Sequence, residues 1–322
     1  MPANWRAIRQ YVLTPGMAQT TFATRGFRAR DEATRERLES VGAHFLTGYG
    51  HAVGARGPAE ATVALETVEP ELRGFAYEGA AMGFAVLDGL TGGRRVAEFL
   101  AGPAARHVYM VHVGVGWAMA RLPRWRRHAI QPADRLLGWL ALDGYGFHQA
   151  YFHTGRYVRS HRRDEVLPWP GDPVGRWTGR VVDQGIGRAL WFVEGADPDR
   201  IADTVDGFPP DRHEDLYSGV ALAATYAGGA SPEELRRLRE RGGAYAPAMA
   251  QGSAFAAEAR ERAGLTTVHT AAATEVFCGA PPAEAAAVTQ AALADLDRDG
   301  PEPAYLVWRQ RIAKQFVTLG RC

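Results

Sequence analysis

Cysteine is scarce: the 322 residues include two, Cys278 and Cys322, too few for a disulfide framework. That economy fits a reducing compartment, and a cytoplasmic protein is expected. The opening segment MPANWRAIRQYVL has no apolar run followed by a small-residue cleavage site, so no secretory signal is expected. Long hydrophobic runs are lacking too. The longest, residues 108–120, is interrupted by His112 and falls short of the roughly 20 residues a bilayer demands, so it reads as a buried helix and no membrane span is expected. Charge of one sign is also missing, since a formal net charge of +1 supplies no global field for polyanions. The basic clusters at residues 124–128 and 159–163 read as solvated loops after helix ends, and no nucleic-acid partner is expected.

The usual signatures of chemistry are absent as well. The chain has no GxxxxGK[ST] phosphate loop, no HExxH, no CxxC and no GxSxG elbow. GYGHAVGARG, from residue 48, superficially suggests a dinucleotide loop, but no hydrophobic strand precedes it and no acidic residue follows after a βαβ unit. No cofactor and no metal are therefore expected.

What is present is helix pattern. Most segments longer than ten residues place apolar residues at three and four, filled in by Ala, Leu, Glu and Arg, and strand evidence is thin. Helices are predicted over residues 30–43, 71–90, 107–121 and 136–157, the last with Asp134 as cap. Another begins at residue 94 after the Gly92-Gly93 breaker. DEVLPWPGDPVGRWTG reads as an ordered connector. Beyond it, Ser231-Pro232-Glu233-Glu234 is a helix start with cap, proline and first-turn acids in order. Residues 280–284 start a further helix, and residues 302–316 read as a final amphipathic one.

The chain also contains an approximate copy of itself. Residues 65–124 recur in residues 205–262: Pro70 meets Pro210, Tyr77 meets Tyr217, Gly79 meets Gly219 and Ala81 meets Ala221 at one offset of 140. Gly114, Trp117, Ala118 and Arg124 meet Gly252, Phe255, Ala256 and Arg262 at 138, and Gly48, Gly50 and Ala52 meet Gly185, Gly187 and Ala189 at 137. The expected fold is all-α, a pseudo-twofold helical bundle built from two similar halves. Its parts are an N-terminal segment (1–40), a first repeat (41–160), a connector (161–180), a second repeat (181–300) and a C-terminal helix and tail (301–322). Gly79, Ala80 and Gly83, with Gly219, Ala223 and Ala224 in the second copy, would let neighbouring helices approach closely.

The densest polar and aromatic segment is DGYGFHQAYFHTGRY, residues 143–157. On a helix Gly144, His148 and Tyr151 share a face, whereas His153, five residues after His148, lies about 140° round and cannot join it on one metal. His148 suits proton transfer near neutrality, and Asp143 would be costly to bury unpaired. The plainer readings are a satisfied histidine at a helix contact and a solvent-facing aspartate beside Gly144. Tyr77 and Tyr217 could line a cavity or pack with their hydroxyls at the surface. His112 is a lone polar group in apolar surroundings, and Cys278 reads as core rather than nucleophile.

Taken together, RGFAYEGAAMGFAVLDGL, HVYMVHVGVGWAMARLP, LDGYGFHQAYFHTGRYV, VVDQGIGRALWFVEG and HEDLYSGVALAATYAGG resemble the UnbL-type family, a domain of unknown function encoded in enediyne polyketide gene clusters. The likeness spans about residues 20–316. It implies a bacterial natural-product pathway whose core derives from a linear conjugated polyene. On that resemblance the chain is expected to be an accessory protein that binds or converts a polyene-derived core intermediate between its halves. Asp143 and His148 would manage protons, while Tyr77, Tyr217, His112 and Tyr151 would contact the ligand. The alternative is a non-catalytic scaffold or protective binding protein. The partners implied are an apolar polyene or polyketide intermediate and other enediyne biosynthetic proteins.

Overall fold

The structure is a computed structural model that describes residues 3–102, 104–164 and 167–322. Among them there is no β-strand; the sole extended pairing is an isolated bridge between Trp169 and Asp172. The protein is all-α, as the spacing of its apolar residues predicts. Helices of eight residues or more, numbered in chain order, are α1 (Ala3–Leu13), α2 (Glu32–Gly54), α3 (Pro58–Leu65), α4 (Pro70–Thr91), α5 (Val108–Arg121), α6 (Leu140–Phe152) and α7 (Thr178–Val193). Then come α8 (Pro198–Asp206), α9 (His213–Ala227), α10 (Pro232–Gly242), α11 (Ala246–Ala263), α12 (Val268–Cys278), α13 (Pro282–Ala291) and α14 (Ala304–Thr318). No helix among the described residues is long and apolar enough to cross a membrane.

Local chemistry sets several boundaries. Ser231 Oγ accepts from the Glu234 amide at 3.3 Å and Glu234 Oε2 from the Ser231 amide at 2.7 Å, a reciprocal cap that starts α10 at Pro232. Asp134 Oδ1 accepts from the amides of Leu136 and Leu137 at 2.8 and 2.7 Å, but what it starts is a 3-10 turn, Leu137–Trp139, that leads into α6. The single helix predicted over residues 136–157 is thus three pieces, the third a π-helical turn over Gly155–Arg159. Thr154 Oγ1 bonds back to the Ala150 and Tyr151 carbonyls at 2.9 and 3.3 Å, competing with the ladder just before Gly155. In the connector, residues 165 and 166 lie outside the described residues. The rest is organised by Asp172, whose carboxylate accepts from the amides of Arg176, Trp177 and Thr178 at 2.9, 2.7 and 3.1 Å.

The chain divides into two compact units, one of Met1–Gly26 with Glu39–Tyr145 and one of Phe27–Leu38 with Gly146–Cys322. In the first, helices touch backbone to backbone at glycines. A Cβ built on Gly48 of α2 would stand 2.0 Å from the Ala76 carbonyl oxygen of α4, and one on Gly79 of α4 would stand 1.8 Å from the Phe45 carbonyl oxygen of α2. The same reciprocal contact joins α5 to α6, with Gly116 against Ala141 and Gly144 against Val113, both at 2.0 Å. Gly114 ties α5 to α4 at the Glu78 carbonyl, 2.2 Å away.

In the second unit Gly187 of α7 meets the Leu216 carbonyl oxygen of α9 at 2.1 Å, and Gly219 of α9 meets that of Gln184 at 1.9 Å. Gly252 of α11 stands against the Ser218 carbonyl at 1.9 Å. In every reciprocal pair each glycine faces the carbonyl three residues before its partner glycine. Glycine inside a helix costs about 1 kcal/mol relative to alanine. These positions retain it because a methyl group would overlap a neighbouring carbonyl, and the close approach yields Cα–H···O contacts and dispersion. The small-residue faces read from the sequence are therefore helix-packing surfaces.

Candidate functional site

The six residues singled out from the sequence are all buried, but in different settings. Tyr77, on α4, is fully buried, and its hydroxyl donates to Glu66 Oε1 at 2.5 Å; Arg106 and Arg73 hold the same carboxylate at 2.6 and 3.2 Å. Its ring stacks on His107 at 3.9 Å and on Phe99 at 5.5 Å. Burial, and then the bond to Glu66, push its phenol well above the ordinary value. Tyr217, on α9, is equally buried, stacks on Tyr245 at 5.3 Å, and makes no hydrogen bond through its hydroxyl. Burial chiefly pushes that phenol up to about 12. The two tyrosines matched in sequence thus have different partners.

His112 Nδ1 lies 2.8 Å from the Val108 carbonyl, one turn back in α5, and burial lowers its pKa, which keeps the imidazole neutral. Asp143 and His148 both sit on α6, fully buried and 6% exposed. His148 packs against Phe152 at 4.7 Å. Tyr151 meets Phe27 edge-on at 4.9 Å and stacks with Phe147 at 5.7 Å. Cys278 is fully buried, its thiol directed at the Ala250 carbonyl at 3.4 Å, and burial pushes it up to about 12, so it is inert core.

A polar network in the second unit escaped sequence reasoning. Asp215 of α9 is gripped by Arg309 of α14 and Arg180 of α7, each at 2.9 Å. Arg309 Nε then donates to Gln251 Oε1 at 3.0 Å, which also accepts from Ser218 Oγ at 2.8 Å. Ser218 Oγ accepts from Gln184 Nε2 at 3.3 Å, and Tyr305 donates to Gln184 Oε1 at 3.0 Å. Beside it Arg212 Nε lies 3.1 Å from each oxygen of Asp183. These groups span α7, α9, α11 and α14, so the network forms only when all four helices are in place. The sequence signal is polar residues embedded in small-residue runs, as in VVDQGIG and AQGSA.

Two concave surfaces of the second unit are of a size to hold ligands. A groove of about 720 Å³ between α13 and α14 has Ala287, Val288, Ala291, Ala292 and Leu319 along its walls, with Arg311 and Lys314 among the polar residues that line it. A smaller cleft, of about 260 Å³, is lined by Arg28, Arg159, Arg200, His161 and Thr204 among others. None of the six residues singled out from the sequence lines either surface.

A protein-family model, described as a protein of unknown function (DUF1702), matches residues 4–316. No curated protein and no solved structure matches the chain.

Proposed function

The chain belongs to the DUF1702 family, and from that premise we propose that it is an accessory binding protein of enediyne biosynthesis, holding an elongated apolar, polyene-derived intermediate. The pathway comes from the resemblance of its helical segments to the UnbL type. The observation that carries the binding role is the α13–α14 groove, whose 720 Å³ falls in the range of small-molecule sites. A conjugated hydrocarbon chain has few polar handles and gains affinity mainly from apolar area removed from water, at about 25 cal/mol per Å². Walls of alanine, valine and leucine provide that area, and Arg311 and Lys314 suit an acidic end group.

Titration of the purified chain with a linear conjugated polyene carboxylic acid, read from its absorption band, tests this role. Saturable binding weakened at least tenfold by Val288→Glu is expected; absent binding, or an unchanged Val288→Glu variant, removes the groove from consideration. Deleting the gene in a producing strain and identifying the accumulated intermediate by mass spectrometry tests the pathway.

A catalytic version rests on Asp143, a carboxylate fully buried in an apolar helix, with His148 as the second proton carrier and Tyr77 and Tyr217 orienting the ligand. Core production that survives an Asp143→Asn/His148→Gln variant would sink it.

An internal duplication belongs to the same reading. The reciprocal pair Gly48/Gly79 has a counterpart in Gly187/Gly219, and Gly114 against Glu78 has one in Gly252 against Ser218. These contacts favour matching Gly48 with Gly187, 139 residues on, over the 137-residue offset of the sequence alignment in that block.

A further inference from the structure

Just past the end of α7 the second unit gathers three arginines around one residue. Glu194 is fully buried; its Oε1 accepts from Arg159 at 2.8 Å and from Thr204 Oγ1 at 3.2 Å, and its Oε2 lies 3.9 Å from Arg28 Nη1. Its main-chain carbonyl accepts from Arg200 Nη2 at 2.9 Å. All three arginines line the 260 Å³ cleft, and the side chains of Arg28 and Arg159 are 61% and 44% exposed there.

Of the nearby carboxylates, Glu194 is shared by Arg28 and Arg159, Asp197 pairs with Arg200 at 3.4 Å, and Asp203, which lines the cleft, meets Arg241 at 2.6 Å. Three guanidinium groups line the cleft beside a single lining carboxylate, Asp203, while Glu194 and Asp197 pair with the arginines without lining it.

The backbone there also departs from ordinary geometry. Arg159 ends the π-helical turn, and His161, two residues on, has φ 49°, a left-handed conformation unusual for a residue with a side chain. Its carbonyl accepts from Arg212 at 2.7 Å, which ties the turn to the buried Arg212–Asp183 pair, and its ring packs on Phe208 at 4.2 Å. Such turns and strained residues concentrate at functional sites and persist where surrounding contacts over-determine them.

We propose that this cleft binds an oxyanion, the phosphate or carboxylate end of a small molecule, held by Arg28 and Arg200 with Arg159 kept in place by Glu194. Guanidinium groups present planar forks that match both anions, and Glu194 orders the arginines before a ligand arrives, so less side-chain entropy is lost on binding. The volume accommodates an anionic head and a few further atoms, leaving the remainder of the ligand outside. The cleft shares no lining residue with the α13–α14 groove.

Calorimetric titration of the full chain with inorganic pyrophosphate and, separately, with succinate at fixed ionic strength tests the proposal. Saturable one-to-one binding of at least one probe is expected, weakened at least tenfold by Arg28→Gln and unchanged by Arg124→Gln, an exposed arginine of the first unit. Both variants lose one charge, so the pair separates a built site from general electrostatics. Arg28 is mostly exposed and its replacement leaves the core intact, which circular dichroism checks. Tighter pyrophosphate binding assigns a phosphate ligand and tighter succinate binding a carboxylate. Lack of saturable binding of either probe, or equal weakening by the two variants, overturns the site.

Discussion

Arg212 grips Asp183 two-handedly: its Nε lies 3.1 Å from both carboxylate oxygens and its Nη2 also meets Oδ1, with the two side chains 1% and 2% exposed. Burial opposes the carboxylate's charge and the fork sustains it. Arg163, at 3.5 Å and half exposed, is the second cation within reach. Truncating Arg212→Leu therefore leaves an aspartate with weak compensation inside the protein and is expected to cost about 3–5 kcal/mol. Urea unfolding checks it. The double variant Arg212→Leu/Asp183→Leu is expected to recover much of the loss, because it removes the charge as well as its partner.

Gly219→Ala places a methyl group where the Gln184 carbonyl oxygen stands, 1.9 Å away, and α7 and α9 must separate to admit it. A loss of about 1–3 kcal/mol is expected. Gly179, in the first turn of α7, has no atom within 4 Å of an added Cβ, so Gly179→Ala is expected to stabilise by about 0.4–1 kcal/mol. Opposite shifts in melting temperature for the two variants would separate close packing from helix propensity.

Three histidines, His112, His51 and His161, have pKa values lowered from 6.5, in each case chiefly by burial. The unfolded chain then binds more protons than the folded one below about 6.5, so stability is full above that pH and is lost as pH falls toward the folded values. Denaturation midpoints at pH 7.5, 6.5 and 5.5 are expected to decrease in that order. His112, the most buried of the three, contributes part of the slope, and His112→Gln is expected to flatten it.

Cys278 is buried with its thiol pushed up to about 12, whereas Cys322 is exposed. A thiol reagent is expected to modify one cysteine rapidly in the native protein and the second only on unfolding. Rapid modification of both would contradict the packing of α12 against α11.

Much of the local structure was legible in the sequence. The α10 start at Ser231-Pro232 and the glycine-bearing faces of α4 and α9 follow from residue types that have few other uses at those spacings. The Tyr77 environment was not legible, because Glu66, Phe99 and His107 reach it from three separate segments. Arg309 was equally hidden: in the sequence it is one arginine on an amphipathic helix, and in the structure it is 5% exposed and bonded to Asp215 and Gln251.

By itself the sequence determined the all-α class, the main helix starts and the positions where helices need glycine, since propensity, capping and side-chain periodicity act within a few residues. Tertiary structure alone decided which carbonyl each glycine meets, which arginines meet Asp183 and Asp215, and that the helix begun at Leu140 ends at Phe152. A periodic pattern indicates that a face is covered, but the covering atoms come from distant parts of the chain, and burial and pairing are properties of that meeting.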